Sequence, residues 1–143
     1  MTGAAMTIDQ ILDLLRAGFG GWDDTGIAIE AAVHRAARLR MDIGERALRP
    51  GGTVSGPTMF LLADTAIYVA VLASVGPQAL AVTANMSINF LRKPPLQALI
   101  AECRLLKLGK RLAVGDVTIY SAGEDEPVAQ ATGTYSIPPS ADA

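Results

Sequence analysis

Between Pro57 and Val75 the chain is apolar almost without interruption, broken only by Thr58, Asp64, Thr65, Tyr68 and Ser74. A run of this length could cross a bilayer. It carries a carboxylate near its middle, however, and lacks flanking basic or aromatic anchors, so it reads as a buried helix. A helix that is apolar nearly all round has no solvent face to offer. The rest of the chain must therefore wrap around it, or a partner must cover what the chain leaves bare.

The 143 residues suit one domain with a real core. Half the residues are hydrophobic, 18% are charged and the net charge is −2, which excludes disorder and the basic footprint of a nucleic-acid binder. So apolar a composition implies either a greasy surface or burial against a second copy. Lone Cys103 excludes an internal disulfide, and with His34 as the single histidine no zinc site can be built from thiolate and imidazole alone. No metal is expected, and the setting is expected to be reducing and cytoplasmic. Met1 to Gln10 lacks a basic region followed by an apolar one, so no signal peptide is expected there.

Around the central helix the sequence predicts a simple order. Met6 to Ala17 puts Ile8, Ile11, Leu12, Leu14 and Leu15 largely on one helical face, closed by Gly18 and by Gly20 and Gly21. Thr25 to Ile43 predicts two strands, with helix as the competing reading for its alanine-rich part. Leu48 to Pro57, "LRPGGTVSGP", is dense in Gly and Pro and predicts a loop, with Ser55 as N-cap and Pro57 in the first turn of the long helix. Leu80, Val82, Ala84, Met86, Ile88 and Phe90 are apolar, with Thr83, Asn85, Ser87 and Asn89 polar between them, a period of two that predicts a strand with Thr83 and Asn85 on its polar face. Ala98 to Leu108, Leu112 to Tyr120 and Val128 to Ile137 are further strands joined by tight turns, and Pro138 to Ala143 is a polar tail. The fold class is α+β: a mainly antiparallel, curved sheet around one long helix, with a short N-terminal helix at residues 1–20, in a single domain.

"SGPTMFLLADTA", "AVTANMSINFLRKP", "RLLKLGKRLAVGDVTIY" and "PVAQATGTYSI", in that order, resemble the PaaI-like acyl-CoA thioesterases of the hotdog-fold superfamily. The resemblance implies the hotdog fold and a homodimer whose sheets pair edge to edge with active sites between subunits, and it leaves a dimer and a tetramer of two dimers as alternatives. It implies an acyl-CoA substrate, no cofactor beyond the coenzyme A of that substrate, and neither a nucleic-acid nor a membrane partner. Asp64 takes the place of the family's helix carboxylate, general base for a water or nucleophile on the thioester carbonyl. A partly desolvated carboxylate is a better base than one in water. Ser55, Gly56 and Pro57 stand where most of the family has His-Gly-Gly, and the Gly56 N–H is the implied oxyanion donor at a helix N-terminus. Arg49 replaces the family's upstream Asn, and Thr83 stands where some relatives use a Ser to position water.

Asn85 is a weaker candidate for the same task. Arg92, Lys93, Lys107, Lys110 and Arg111 sit at strand ends and turns, where they suit the phosphates of coenzyme A or a solvated turn equally well. Met59, Phe60, Tyr68, Met86 and Phe90 are bulky enough to line an acyl pocket. His34, Cys103 and Trp22 read as structural. No G-x-S-x-G is present, since Thr53 fills its first position before Ser55, and "GGTVSGPT" lacks the Lys of a P-loop. A thioesterase is the leading expectation, with a hotdog module that binds acyl-CoA without hydrolysing it as the alternative and a dehydratase or hydratase as a remote third.

Overall fold

The computed structural model describes residues 3–44 and 48–139. The first helix, α1 (Ile8–Gly18), opens with a capping box in which Thr7 Oγ1 accepts from the Gln10 N–H at 3.2 Å and the Gln10 side chain accepts from the Thr7 N–H at 2.9 Å. It buries Ile11 and Leu15, the residues its periodicity assigns to the core. A 3₁₀ turn (Trp22–Asp24) leads into β1 (Ile27–Val33) and β2 (Ala36–Met41), the two strands the sequence predicts there.

The segment expected to be loop contains a minimal hairpin of β3 (Leu48–Arg49) and β4 (Thr53–Val54). Gly51 and Gly52 turn it at φ 98 and 79, values side chains rarely adopt. Arg49 therefore lies in a strand, and its side chain falls outside the described residues.

The long helix α2 (Gly56–Val75) follows, and then β5 (Val82–Phe90), β6 (Leu99–Leu108), β7 (Leu112–Ser121) and β8 (Pro127–Ser136). The strands form one antiparallel sheet in the order β1-β2-β6-β7-β8-β5, and α2 touches all six. This is the hotdog fold.

Close seating of the helix is made possible by two glycines. Gly115 and Gly133 face each other across β7 and β8, directly beneath Ile67. A Cβ at Gly133 would lie 2.6 Å from Ile67 Cδ1.

The sheet covers most of α2 but not all of it. Leu62, Ala63, Ala66, Ile67, Val69 and Ala70 are fully buried, whereas Pro57, Phe60, Leu61, Asp64 and Tyr68 keep solvent contact. Those five follow the 3.6-residue period, so they form one stripe, apolar except for Asp64. The alternation of β5 does not bury one whole face either. Leu80, Val82 and Phe90 are 77%, 57% and 51% exposed, because β5 is a sheet edge and only Met86 and Ile88 pack on the core.

A register shift between Thr83 and Asn85 changes the phase of β5. Thr83 thereby joins Met86 on the helix side, and Asn85 falls with Asn89 on the opposite face. The expected shared face of Thr83 and Asn85 is thus corrected: the bulge separates them.

Candidate active site

Asp64 sits midway along α2, on the stripe the sheet leaves open, and is half-buried. Its Oδ1 accepts two hydroxyls: Thr83 Oγ1 at 2.5 Å and Tyr135 OH at 2.8 Å. Tyr135 OH also lies 3.2 Å from the Asp64 carbonyl. Thr83 and Tyr135 are direct neighbours in the β5–β8 ladder, so two strands converge on one carboxylate oxygen. Oδ2 takes no hydrogen bond from the described residues and is not sealed from solvent. The carboxylate is fixed by one oxygen and open at the other, as a group that must meet a water or a carbonyl has to be.

Tyr135 is 4% exposed and its ring stacks on Tyr68, centroids 5.9 Å apart at 25°. Burial, with the Asp64 charge adding to it, pushes the Tyr135 phenol well above its ordinary value, so the hydroxyl stays protonated and keeps donating. Burial likewise raises the Tyr68 phenol, whose OH donates to the Ala79 carbonyl at 3.0 Å. Beside Asp64 opens a cavity of about 450 Å³, walled by Tyr68, Thr83 and Tyr135 on one side and by α1 residues on the other.

Gly56 occupies the far end of α2. Ser55 caps the helix, its Oγ accepting the Thr58 N–H at 3.3 Å and bonding Thr58 Oγ1 at 2.7 Å. Pro57 has no N–H. Among the described residues the Gly56 N–H meets no acceptor, which leaves it as the free donor at a positive helix end. The Phe90 ring closes over Gly56: a Cβ there would lie 3.2 Å from Phe90 Cζ. A second cavity of about 770 Å³ opens here, lined by Ser55, Gly56, Met59, Phe90, Arg92 and Lys93.

Eight residues separate Gly56 from Asp64, about 12 Å along the helix axis. Within one chain the two groups cannot reach the same carbonyl. The other sequence-predicted residues divide between the same two ends. Arg92 and Lys93 follow β5 at the Gly56 end, and Arg92 is paired with Glu126. Lys110 and Arg111 lie in the β6–β7 turn, at the Thr83 end of the sheet, where the Arg111 carbonyl accepts from Ile137 N–H and Leu112 pairs with Ser136. Asn85 makes no contact with Asp64. Ser55 has its hydroxyl engaged in the cap.

Sequence reasoning missed Tyr135. Its strand was legible, but nothing in "PVAQATGTYSI" marks one inward residue as the partner of a carboxylate 71 positions earlier. A paired register of β5 and β8 was the signal needed.

Residues 51–128 match the family model described as the Thioesterase superfamily. A curated protein of Saccharolobus solfataricus, named for an inferred esterase activity, is 32% identical over 112 residues, covering 78% of this chain and 73% of its own. A crystal structure from Silicibacter sp. TM1040, titled as an inferred thioesterase, superposes with a TM-score of 0.86 at 45% identity, covering 96% of each chain. The Escherichia coli PaaI protein of the phenylacetic acid degradation operon superposes at 0.80 with 23% identity, covering 92% of this chain and 93% of that one, a likeness of fold.

Proposed function

This chain belongs to the thioesterase superfamily, and from that premise we propose that it hydrolyses acyl-CoA thioesters to a free acid and coenzyme A. The observation that carries the reading is Asp64: one oxygen clamped by Thr83 and Tyr135, the other without a protein partner among the described residues, in a residue that lines a cavity. In this mechanism Oδ2 takes a proton from a water, the water oxygen bonds to the thioester carbon, and the carbonyl oxygen becomes an oxyanion held by the Gly56 N–H. Collapse of that intermediate expels the thiolate of coenzyme A, which recovers the proton. Direct attack by Oδ2 would instead leave an acyl-aspartyl intermediate. Label found in the Asp64 carboxylate after a single turnover in ¹⁸O-water identifies the second route, in which water attacks the aspartyl carbonyl of that intermediate.

The proposed working unit is a homodimer. β5 is an edge strand with Val82 and Phe90 more than half exposed, a surface that requires cover. Thr83, at one end of β5, touches Asp64, and Phe90, at the other, touches Gly56. Antiparallel pairing of two copies through β5 brings the start of one strand to the end of the other. Asp64 of one copy then meets Gly56 of its partner, which relieves the separation of about 12 Å within a chain. The same pairing gathers Arg92 and Lys93 of one copy with Lys110 and Arg111 of the other, a cationic rim for the phosphates of coenzyme A. Two such dimers assemble into a tetramer in this reading. The chemistry needs no cofactor or metal, and a lone, buried Cys103 suits the reducing cytoplasm.

The test is a panel of acyl-CoA thioesters followed by free-thiol detection, with Asp64→Asn alongside. Hydrolysis that depends on Asp64 is expected; absence of hydrolysis across the panel sinks the proposal. Ser55, committed to the helix cap in the place of the family's histidine, favours one second reading: binding of acyl-CoA without turnover. Calorimetric binding of the same thioesters with no thiol released supports that reading instead.

A further inference from the structure

The cavity beside Asp64 has one wall that does not come from the stretch matching the family model. Leu14, Leu15, Gly18 and Phe19, from α1 and its C-cap, face Tyr68 and Val82 across it. Apart from the carboxylate and the neighbouring hydroxyls the lining is apolar. Leu15 is buried, Leu14 is half-buried, and Phe19 is held edge-on against Trp22 with centroids 6.0 Å apart. A pantetheine arm, with two amides to satisfy, is poorly matched to such walls, whereas a hydrocarbon group is well matched. The free cations that suit phosphate lie outside this lining.

We propose that α1 is the selectivity element of the enzyme: its C-terminal turn closes the acyl cavity and sets the longest aliphatic acyl group accepted. The proposal rests on the thioesterase reading and names its substrate class, acyl chains that fill about 450 Å³ beside Asp64. Each methylene that enters an apolar cavity of this kind raises kcat/KM about fourfold, until the chain meets the α1 wall. Gly18 lines the cavity without a side chain of its own. A side chain built there meets nothing within 4 Å and the backbone is not in the left-handed region, so a large residue can be added without displacing the fold.

The experiment measures kcat/KM for acetyl- through octadecanoyl-CoA with the wild type, Gly18→Trp and Phe19→Ala. The quantity read is the ratio of each chain length to acetyl, which does not depend on how much of a sample is folded. The wild-type ratio is expected to rise and then fall. Gly18→Trp moves the maximum to shorter chains, lowering the ratio at the wild-type optimum at least tenfold, and Phe19→Ala moves it to longer ones. Ratios unchanged in both variants, or lowered equally at every length, overturn the assignment of α1 while leaving hydrolysis itself intact. Absence of hydrolysis in the wild type counts against the thioesterase reading; calorimetry of the same thioesters then reads the shift in affinity, and no shift on Gly18→Trp overturns this proposal too.

Discussion

Tyr135 stands directly opposite Thr83 in the β5–β8 ladder, and both hydroxyls end on the same oxygen of Asp64. A helix carboxylate is thereby held by two adjacent strands, with its second oxygen left for chemistry. Tyr135 remains a donor throughout the working range because burial holds its proton.

Removing the carboxylate and removing its support should therefore differ. Asp64→Asn is expected to lower kcat by about 10²- to 10⁴-fold, the span of a lost general base. Tyr135→Phe keeps the carboxylate and the Thr83 bond, and is expected to lower kcat about tenfold, about 1.4 kcal/mol, with KM little changed. Steady-state kinetics with thiol detection check both. An equal loss in kcat and in binding for Tyr135→Phe would reduce it to a packing residue.

Two inactive variants should rescue each other if the site is shared between copies. Gly56→Pro removes the proposed oxyanion donor at a position whose backbone accepts proline, since Ser55 before it is already extended at φ −72, ψ 153, although the new Cβ, 3.2 Å from Phe90 Cζ, requires that ring to shift by a few tenths of an ångström. Mixed with Asp64→Asn under conditions that exchange subunits, half the dimers are hybrid and each hybrid holds one intact site. Activity of about a quarter of wild type is expected. No recovery in a mixture shown by native mass spectrometry to contain hybrids counts against the composite site.

The glycine beneath Ile67 should resist any side chain. Gly133→Ala sets a Cβ against Ile67 Cδ1 at 2.6 Å, and a loss of about 1–3 kcal/mol is expected. Ile67→Val removes the offending methyl group at its own cost of about 0.5–1.5 kcal/mol. The double variant should then be more stable than the sum of the two losses, as read from urea denaturation.

Alkali should destabilise the fold in two steps of known sign. Burial, with Asp116 adding to it, pushes the Cys103 thiol from its ordinary 9.0 up to about 12. Above pH 9 the unfolded chain has released that proton and the folded chain has not, so stability falls as pH rises, by about 1.4 kcal/mol per unit, until the folded thiol ionises. Tyr135 adds a second slope of the same sign above pH 10, the ordinary value of a phenol. Cys103→Val should remove the first slope, and Tyr135→Phe should reduce the second to the part supplied by the raised Tyr68 phenol, in urea midpoints taken from pH 8 to 11.

Much of the fold was legible because its signals are local. The apolar run of α2, its Ser55 cap and the turns between β6, β7 and β8 are each written in a few adjacent residues. What escaped depends on register. The bulge beside Ala84 carries no Gly or Pro to announce it, yet it decides that Thr83 and not Asn85 faces Asp64. Arg92, Lys93, Lys110 and Arg111 read as residues of strand ends and turns, and only the ladder shows that the two pairs lie at opposite ends of the sheet. Tyr135 was invisible for the same reason. Only the pairing of β8 with β5 brings it to the helix.

That pairing also gives the site an order of assembly. Among the described residues β5 pairs with β8 alone, a strand that follows it in the sequence with β6 and β7 between them. Asp64 and Tyr135 are 71 residues apart, and closure of so long a loop is slow compared with forming the β6–β7–β8 meander. The Tyr135 bond therefore waits on the docking of β5 against β8, whereas Thr83 lies only 19 residues from the carboxylate, and a nascent chain that has not yet folded through Ser136 holds Asp64 without its phenol.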